Sequence, residues 1–191
     1  LASQFFGTGR YKNTADRNGY CTYSAWDEQG REWKFQKDVS IAGIDSEKCE
    51  MVTPILNYSD IETLQELVRI LRKAGAKSDS TRGCGVHIHI GAKGHTAKTL
   101  RNLANIMASH EQLLIDALNL DEVRIRRYCK TVDPRFLEQV NRTKPETMSQ
   151  LADVWYKSHD ENYGRSHHYN GSRYHMLNLH ATLSLIHISE P

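Results

Sequence analysis

The segment Cys84-Gly85-Val86-His87-Ile88-His89-Ile90-Gly91 constrains what this chain can fold into more than any other. β-Branched residues alternate with two histidines between bracketing glycines, the pattern of a strand. Alternate residues of a strand share a face. A strand here points His87 and His89 one way and Val86, Ile88 and Ile90 the other. Neighbouring imidazoles pack poorly on a sheet face, but they suit a metal or an anionic ligand. A solvent-facing histidine pair is the plain alternative.

The 191 residues are enough for one domain with a real core. Lys and Arg number 25 against 23 Asp and Glu, a balance that argues against a dedicated nucleic-acid binder. No apolar stretch approaches the roughly 20 residues needed to cross a bilayer, so no membrane partner is expected. Cys21, Cys49, Cys84 and Cys129 are widely separated and form no C-x-x-C pair. Scattered cysteines without a signal peptide fit a reducing cytoplasm.

Residues 1–19 are polar, with Phe5-Phe6 as their apolar anchor. A hairpin is predicted next: Tyr20 to Trp26, a turn at Asp27-Glu28-Gln29-Gly30, and a return through Glu32 to Gln36. On the returning strand Trp33 and Phe35 share one face; Lys34, Gln36 and Asp38 share the other. A third strand is expected from about Glu47 to Ile55, stopped by Pro54. Ser59 with Glu62 three residues on reads as a capping box. The helix it opens carries an apolar stripe of Ile61, Leu64, Val68 and Leu71, with Leu67 beside them, and ends at Gly75. After the His-x-His strand, Thr96 caps a longer helix whose buried face is Leu100, Leu103, Ala104, Met107, Leu114 and Leu118. Residues 141–172 read as loop apart from a short helix near 146–157, and Arg173 to Leu179 as a strand or its approach. This is not a regular βαβ alternation. The expected class is α+β, a mainly antiparallel sheet with helices packed on one face.

Leu183 to Pro191 resembles the translation of a sequencing-library adapter end and is set apart from fold reasoning. On that reading His187 is not a ligand. The alternative is a C-terminal strand, because Leu-Ser-Leu-Ile-His-Ile alternates.

Four polar segments interrupt strand-like surroundings: Lys37-Asp38-Val39-Ser40; Cys49-Glu50-Met51-Val52-Thr53-Pro54; the two histidines; and Arg126, Arg127 and Lys130 with Arg173. Singly, each has a plain explanation. Asp38 can make an Asx turn, Glu50 can face water, and the basic run can be a solvated helix end. Together they can do more. Carboxylates hold a hard cation such as Mg2+, and arginine, lysine and histidine neutralise phosphate oxygens.

The chain resembles the amidoligases, carboxylate–amine ligases related to glutamine synthetase and glutamate–cysteine ligase. The matching stretches are Gly30-Arg31-Glu32-Trp33-Lys34 through Asp38-Val39-Ser40, Glu50 to Leu56, Ala74-Gly75-Ala76, Cys84 to His89, Arg127-Tyr128-Cys129-Lys130, and Arg173-Tyr174 with Asn178-Leu179. The pairing of E-x-V-[ST]-P with a downstream G-x-H-x-H is the strongest part.

The resemblance implies a glutamine-synthetase-like catalytic domain over residues 1–182, incomplete at both ends, followed by the 183–191 tail. It implies a reaction that uses ATP and Mg2+ to join a small-molecule or peptide carboxylate to an amine through an acyl phosphate. By it, Glu50, His87 and Asp38 serve the metal, and His89, Arg127, Lys130 and Arg173 serve the nucleotide. Glu50, His87, His89, Arg127 and Arg173 form the catalytic set. An acidic G-x-E-x-E strand before residue 20 and a Glu-Phe-Arg strand after Asn178-Leu179 are missing from the pattern. The fragment alone is therefore expected to be inactive.

Two other readings stand beside this one. A zinc or iron hydrolase could use His87 and His89, with His167, His168 and His175 as further donors. A non-catalytic relative could keep the fold and lose Mg-ATP.

Overall fold

The computed structural model describes residues 1–15 and 21–189. The chain divides into two compact units, Leu1–His87 and Ile88–Pro191.

The first unit is built on a four-stranded antiparallel sheet in the order β1-β2-β3-β4: β1 Tyr11–Ala15, β2 Cys21–Trp26, β3 Glu32–Gln36 and β4 Glu50–Val52. The expected hairpin is β2–β3, with Ala25 opposite Trp33 and Tyr23 opposite Phe35. Its turn is closed by Gly30, whose φ of 76° suits a residue without Cβ. Tyr20, the expected start of the hairpin, lies outside the described residues. β4 is shorter than the Glu47–Ile55 run expected, because Asp45–Glu47 forms a 3-10 turn instead.

One face of this sheet is covered by α1 (Ala2–Phe5) and α2 (Ile61–Lys73). Phe6, Ala25, Trp33 and Leu67 are buried there, with Phe35, Met51, Leu64 and Leu71 packed around them. Burying each large apolar side chain contributes about 2 kcal/mol. Helix α2 starts one residue later than the Ser59 cap implies, with Asp60 as its N-cap. Asp60 accepts the Asn57 N–H at 2.8 Å and caps a preceding 3-10 turn, Tyr58–Asp60. It is also held by Arg31, whose guanidinium reaches both of its carboxylate oxygens at 2.8 and 2.9 Å.

The second unit is helical: α3 Ala97–Leu118, α4 Glu122–Arg127, α5 Pro134–Thr143, α6 Met148–Ser158 and α7 His180–Ser189. Thr96 caps α3 as expected, exchanging hydrogen bonds with Thr99. The buried face of α3 is shorter than its sequence stripe. Leu100 and Ala104 are buried, but Leu114 and Leu118 are exposed. Within this unit α3 packs against α5, where Asn105 and Asn141 exchange hydrogen bonds at 3.0 and 2.9 Å. Phe136 and Val140 of α5, Leu151, Ala152, Trp155 and Tyr156 of α6, and Leu183 of α7 complete the core.

Three expectations need correction. Residues 84–92 form no strand; Val86, Ile88 and Ile90 are 79–85 % exposed. The alternation is real, but no neighbouring strand among the described residues takes up its backbone groups. Arg173 to Leu179 is not a strand either, but a 3-10 turn, Gly171–Arg173, followed by a single bridge at His175. The start of the segment set apart as a tail is helical, with Leu183 fully buried, where the alternation pointed to a strand. Glu190 and Pro191 lie outside the described residues.

Candidate functional site

In the second unit the basic segment after α4 runs beside the segment after the 3-10 turn. The Lys130 N–H donates to the Tyr174 carbonyl at 3.1 Å, and the Met176 N–H donates to the Lys130 carbonyl at 2.8 Å. These bonds form a parallel bridge between Lys130 and His175. It brings together two of the cationic motifs singled out in the sequence.

The rings follow the backbone. Tyr128 and Tyr174 meet edge to face with centroids 6.3 Å apart. The Arg124 guanidinium lies 5.6 Å from the Tyr128 ring centre, and that of Arg173 lies 5.8 Å from Tyr174 and 5.7 Å from Tyr169. Such cation–π contacts each hold a guanidinium by about 0.5–1 kcal/mol when exposed.

Charge pairing separates these cations. Arg126 pairs with Glu122, Arg135 with Asp133 and Asp160, and Arg165 with Asp153. Among the described residues Arg127, Lys130 and Arg173 make no ion pair. Arg173 is nevertheless fixed, because its Nη1–H donates to the His168 carbonyl at 2.6 Å. Arg173 is thus held by carbonyl and ring contacts, with no carboxylate partner among the described residues.

The bridge is supported from α3. Glu111 is buried there and accepts the Val132 N–H at 2.7 Å, and burial raises its pKa. Burial lowers the pKa of His159 and of the bridged His175, that of His175 to about 4. Both rings are therefore neutral at pH 7. In α6 and α7, Tyr156 Oη lies 2.9 Å from His180 Nδ1, while His180 Nε2 lies 3.1 Å from the His167 carbonyl. A carbonyl only accepts, so Nε2 carries the hydrogen, and the one hydrogen of the Tyr156 hydroxyl faces both His180 Nδ1 and the Arg165 carbonyl, the latter at 3.3 Å.

The other sequence-picked residues are placed less tellingly. Asp38 follows β3 and accepts from the Ser40 N–H at 2.8 Å and the Ser40 hydroxyl at 2.7 Å, an Asx turn. Glu50 opens β4 opposite Gln36; it is exposed, and its carboxylate has no partner among the described residues. His87 and His89 are exposed in the irregular segment; His87 closes the first unit and His89 falls in the second. Among the described residues no group of three or more His, Cys, Asp or Glu is arranged to hold a metal ion.

From residue 2 to residue 187 the chain matches the model of the family described as "putative amidoligase enzyme". The chain belongs to the amidoligase family. The match reaches into both units and includes Asp38, Glu50, His87, His89, Arg127, Lys130 and Arg173. No curated protein and no solved structure matches the chain.

Several structural features of this amidoligase were not singled out from sequence. Glu111 lies in a helix whose apolar face draws the attention, and no local pattern marks it. Asn170-Gly171-Ser172, which seats Arg173, carries a turn signature in a stretch read only as loop. Arg31 and Trp33, noted as family motif residues, prove to be structural. Asp27 is 4 % exposed and accepts from the Arg31 N–H and Nε–H and from the Trp33 indole N–H at 2.8–3.0 Å.

Proposed function

We propose that this amidoligase is an ATP- and Mg2+-dependent carboxylate–amine ligase, with a glutamine-synthetase-like catalytic domain, that forms an amide through an acyl phosphate. The observation that carries the reading is the Lys130–His175 bridge, which sets Arg127-Tyr128-Cys129-Lys130 beside Arg173-Tyr174. Arg173, held by a carbonyl and by tyrosine rings, with Arg127 and Lys130 free of ion pairs among the described residues, suits the phosphates of ATP and the carboxylate of a substrate.

A carboxylate resists attack by an amine because its oxygen is a poor leaving group. Its oxygen attacks the γ-phosphorus of ATP, the bond to the bridging oxygen breaks, and ADP leaves. The amine then attacks the carbonyl carbon of the acyl phosphate and loses a proton, and inorganic phosphate departs. The cations lower the repulsion between the carboxylate and the phosphates and steady the charge that shifts onto ADP. Positioning and exclusion of water supply the rest.

In this reading Arg173 and Arg127 meet phosphate or substrate carboxylate, and Lys130 and His89 meet the nucleotide. Glu50, His87 and Asp38 are assigned to the metal side. The substrates are a small-molecule or peptide carboxylate and an amine, and the compartment is the cytoplasm. No helix is long and apolar enough to cross a membrane.

The test is equilibrium binding of Mg-ATP to the full-length protein. Arg173→Gln weakens binding about tenfold, the loss of one charge-assisted contact of about 1.4 kcal/mol. Unchanged binding removes Arg173 from the site. One bound zinc per chain and turnover without ATP would replace the ligase by the hydrolase reading.

A further inference from the structure

Arg173 is seated by a chain of buried hydrogen bonds that begins in the core of the second unit. Trp155 is 1 % exposed and packs edge to face on Phe136, centroids 4.9 Å apart. Its indole N–H donates to Ser172 Oγ at 2.9 Å. That leaves the Ser172 hydroxyl hydrogen for Asn170 Oδ1, at 2.6 Å. The same oxygen accepts the Ser172 N–H at 3.0 Å, which fixes which way the Asn170 amide faces. Its nitrogen then donates to the carbonyls of Gly164 and Glu161, at 3.3 and 3.4 Å. On its far side the Ser172 carbonyl accepts from His175 Nδ1 at 3.0 Å.

Ser172 is 1 % exposed and engages its N–H, hydroxyl and carbonyl at once. Fully satisfied buried networks select one backbone conformation, because each lost bond strands a buried polar group at about 1–3 kcal/mol. The residue whose backbone this fixes next is Arg173.

We propose that Ser172, clasped between Trp155 and Asn170, is the positioning residue that aims the Arg173 guanidinium at the anionic substrate. It touches no substrate itself and acts through Arg173. The proposal rests on the reading of Arg173 given above. A network serving stability alone would lower the melting temperature without a loss of anion affinity that depends on Arg173.

The test is calorimetric titration of this chain with inorganic tripolyphosphate at low salt, for wild type, Ser172→Ala, Arg173→Gln and the double variant. Arg173→Gln is expected to weaken binding about tenfold, and Ser172→Ala about threefold to tenfold. The double variant is expected to bind no more weakly than Arg173→Gln, because the serine has nothing left to aim. Trp155→Phe removes only the indole donor and is expected to repeat the pattern. It replaces Ser172→Ala if that variant does not fold. In nitrogen NMR the Arg173 Nε–H signal is expected to be displaced by the tyrosine rings in wild type and to move to its free value in Ser172→Ala.

Wild-type affinity in Ser172→Ala and Trp155→Phe overturns the proposal and leaves Arg173 in place. So does further weakening by Ser172→Ala in the Arg173→Gln background. Unchanged affinity in Arg173→Gln, or a wild-type chain that takes up no tripolyphosphate, overturns the reading of Arg173 and the proposal with it.

Discussion

The imidazoles of His159 and His175 meet edge to face, with centroids 4.6 Å apart and planes at 77°. Each Nδ1–H donates to a backbone carbonyl, His159 to Trp155 at 2.6 Å and His175 to Ser172 at 3.0 Å. Both Nε2 atoms therefore carry bare lone pairs, and that of His159 is buried with no partner. A proton added there finds no acceptor, so burial holds both rings neutral in the folded chain.

Acid lability follows from this pair. Between pH 6.5 and about 4 the unfolded chain binds a proton at His175 that the folded chain refuses. The stability is present above pH 6.5 and is lost as pH falls toward 4. Discounted for partial exposure, the loss is about 2 kcal/mol. Urea midpoints followed by far-UV ellipticity at pH 7.5 and 4.5 read it directly. His175→Phe keeps the ring and removes the titration, so the fall between the two pH values shrinks. An unchanged fall would place the acid sensitivity elsewhere.

Asp27 anchors the β2–β3 turn. Burial pushes its pKa up, but hydrogen bonds from Trp33 and Arg31 outweigh this and hold it below the usual carboxylate range. Asp27→Ala strands the Trp33 indole N–H and part of the Arg31 guanidinium. The expected cost is about 2–4 kcal/mol of unfolding free energy, with a smaller cost for Asp27→Asn. Equal costs for the two variants would show that the carboxylate oxygens do not matter as acceptors.

Glu111 gives the opposite pH sign. Burial raises its pKa, so the folded chain holds that proton more tightly than the unfolded chain. Its contribution is greatest at low pH and falls as pH rises through the folded value. Glu111→Gln keeps an acceptor for the Val132 N–H without the desolvated charge, so at pH 7 it is neutral or stabilising by up to about 1 kcal/mol. Glu111→Ala costs about 1–3 kcal/mol. Thermal melts of the three proteins decide it; a Gln variant as unstable as Ala would contradict the assignment.

Glu50 is exposed, and its carboxylate has no partner among the described residues, so Glu50→Gln leaves the melting temperature unchanged. In the full-length protein it is expected to abolish ATP-dependent amide formation. Unchanged turnover takes Glu50 out of the site.

The β2–β3 hairpin was legible because a Gly30 turn and the alternation of Trp33 and Phe35 agree at every level. Helix α3 was legible from its Thr96 cap. Helix α5 was missed although Asp133-Pro134 is a sound start signal: Asp133 accepts the Arg135 N–H at 2.7 Å and proline takes the first helical position. The His-x-His segment shows the limit of periodicity. Alternation says which side chains share a face, but a strand also needs a partner for its backbone. Within the candidate site, Arg127, Lys130 and Arg173 were legible as residues. Their juxtaposition was not, because it depends on a bridge between positions 130 and 175 that no local pattern encodes.

The central claim is amide formation through an acyl phosphate, and the most direct measurement follows an oxygen atom. The full-length protein is incubated with Mg-ATP, the amine and the carboxylate it joins, the carboxylate labelled with oxygen-18, and the released phosphate is weighed by mass spectrometry. The account predicts one labelled oxygen in each inorganic phosphate, with ADP and amide in equal amounts. Label in AMP, unlabelled phosphate, or turnover without ATP would contradict it.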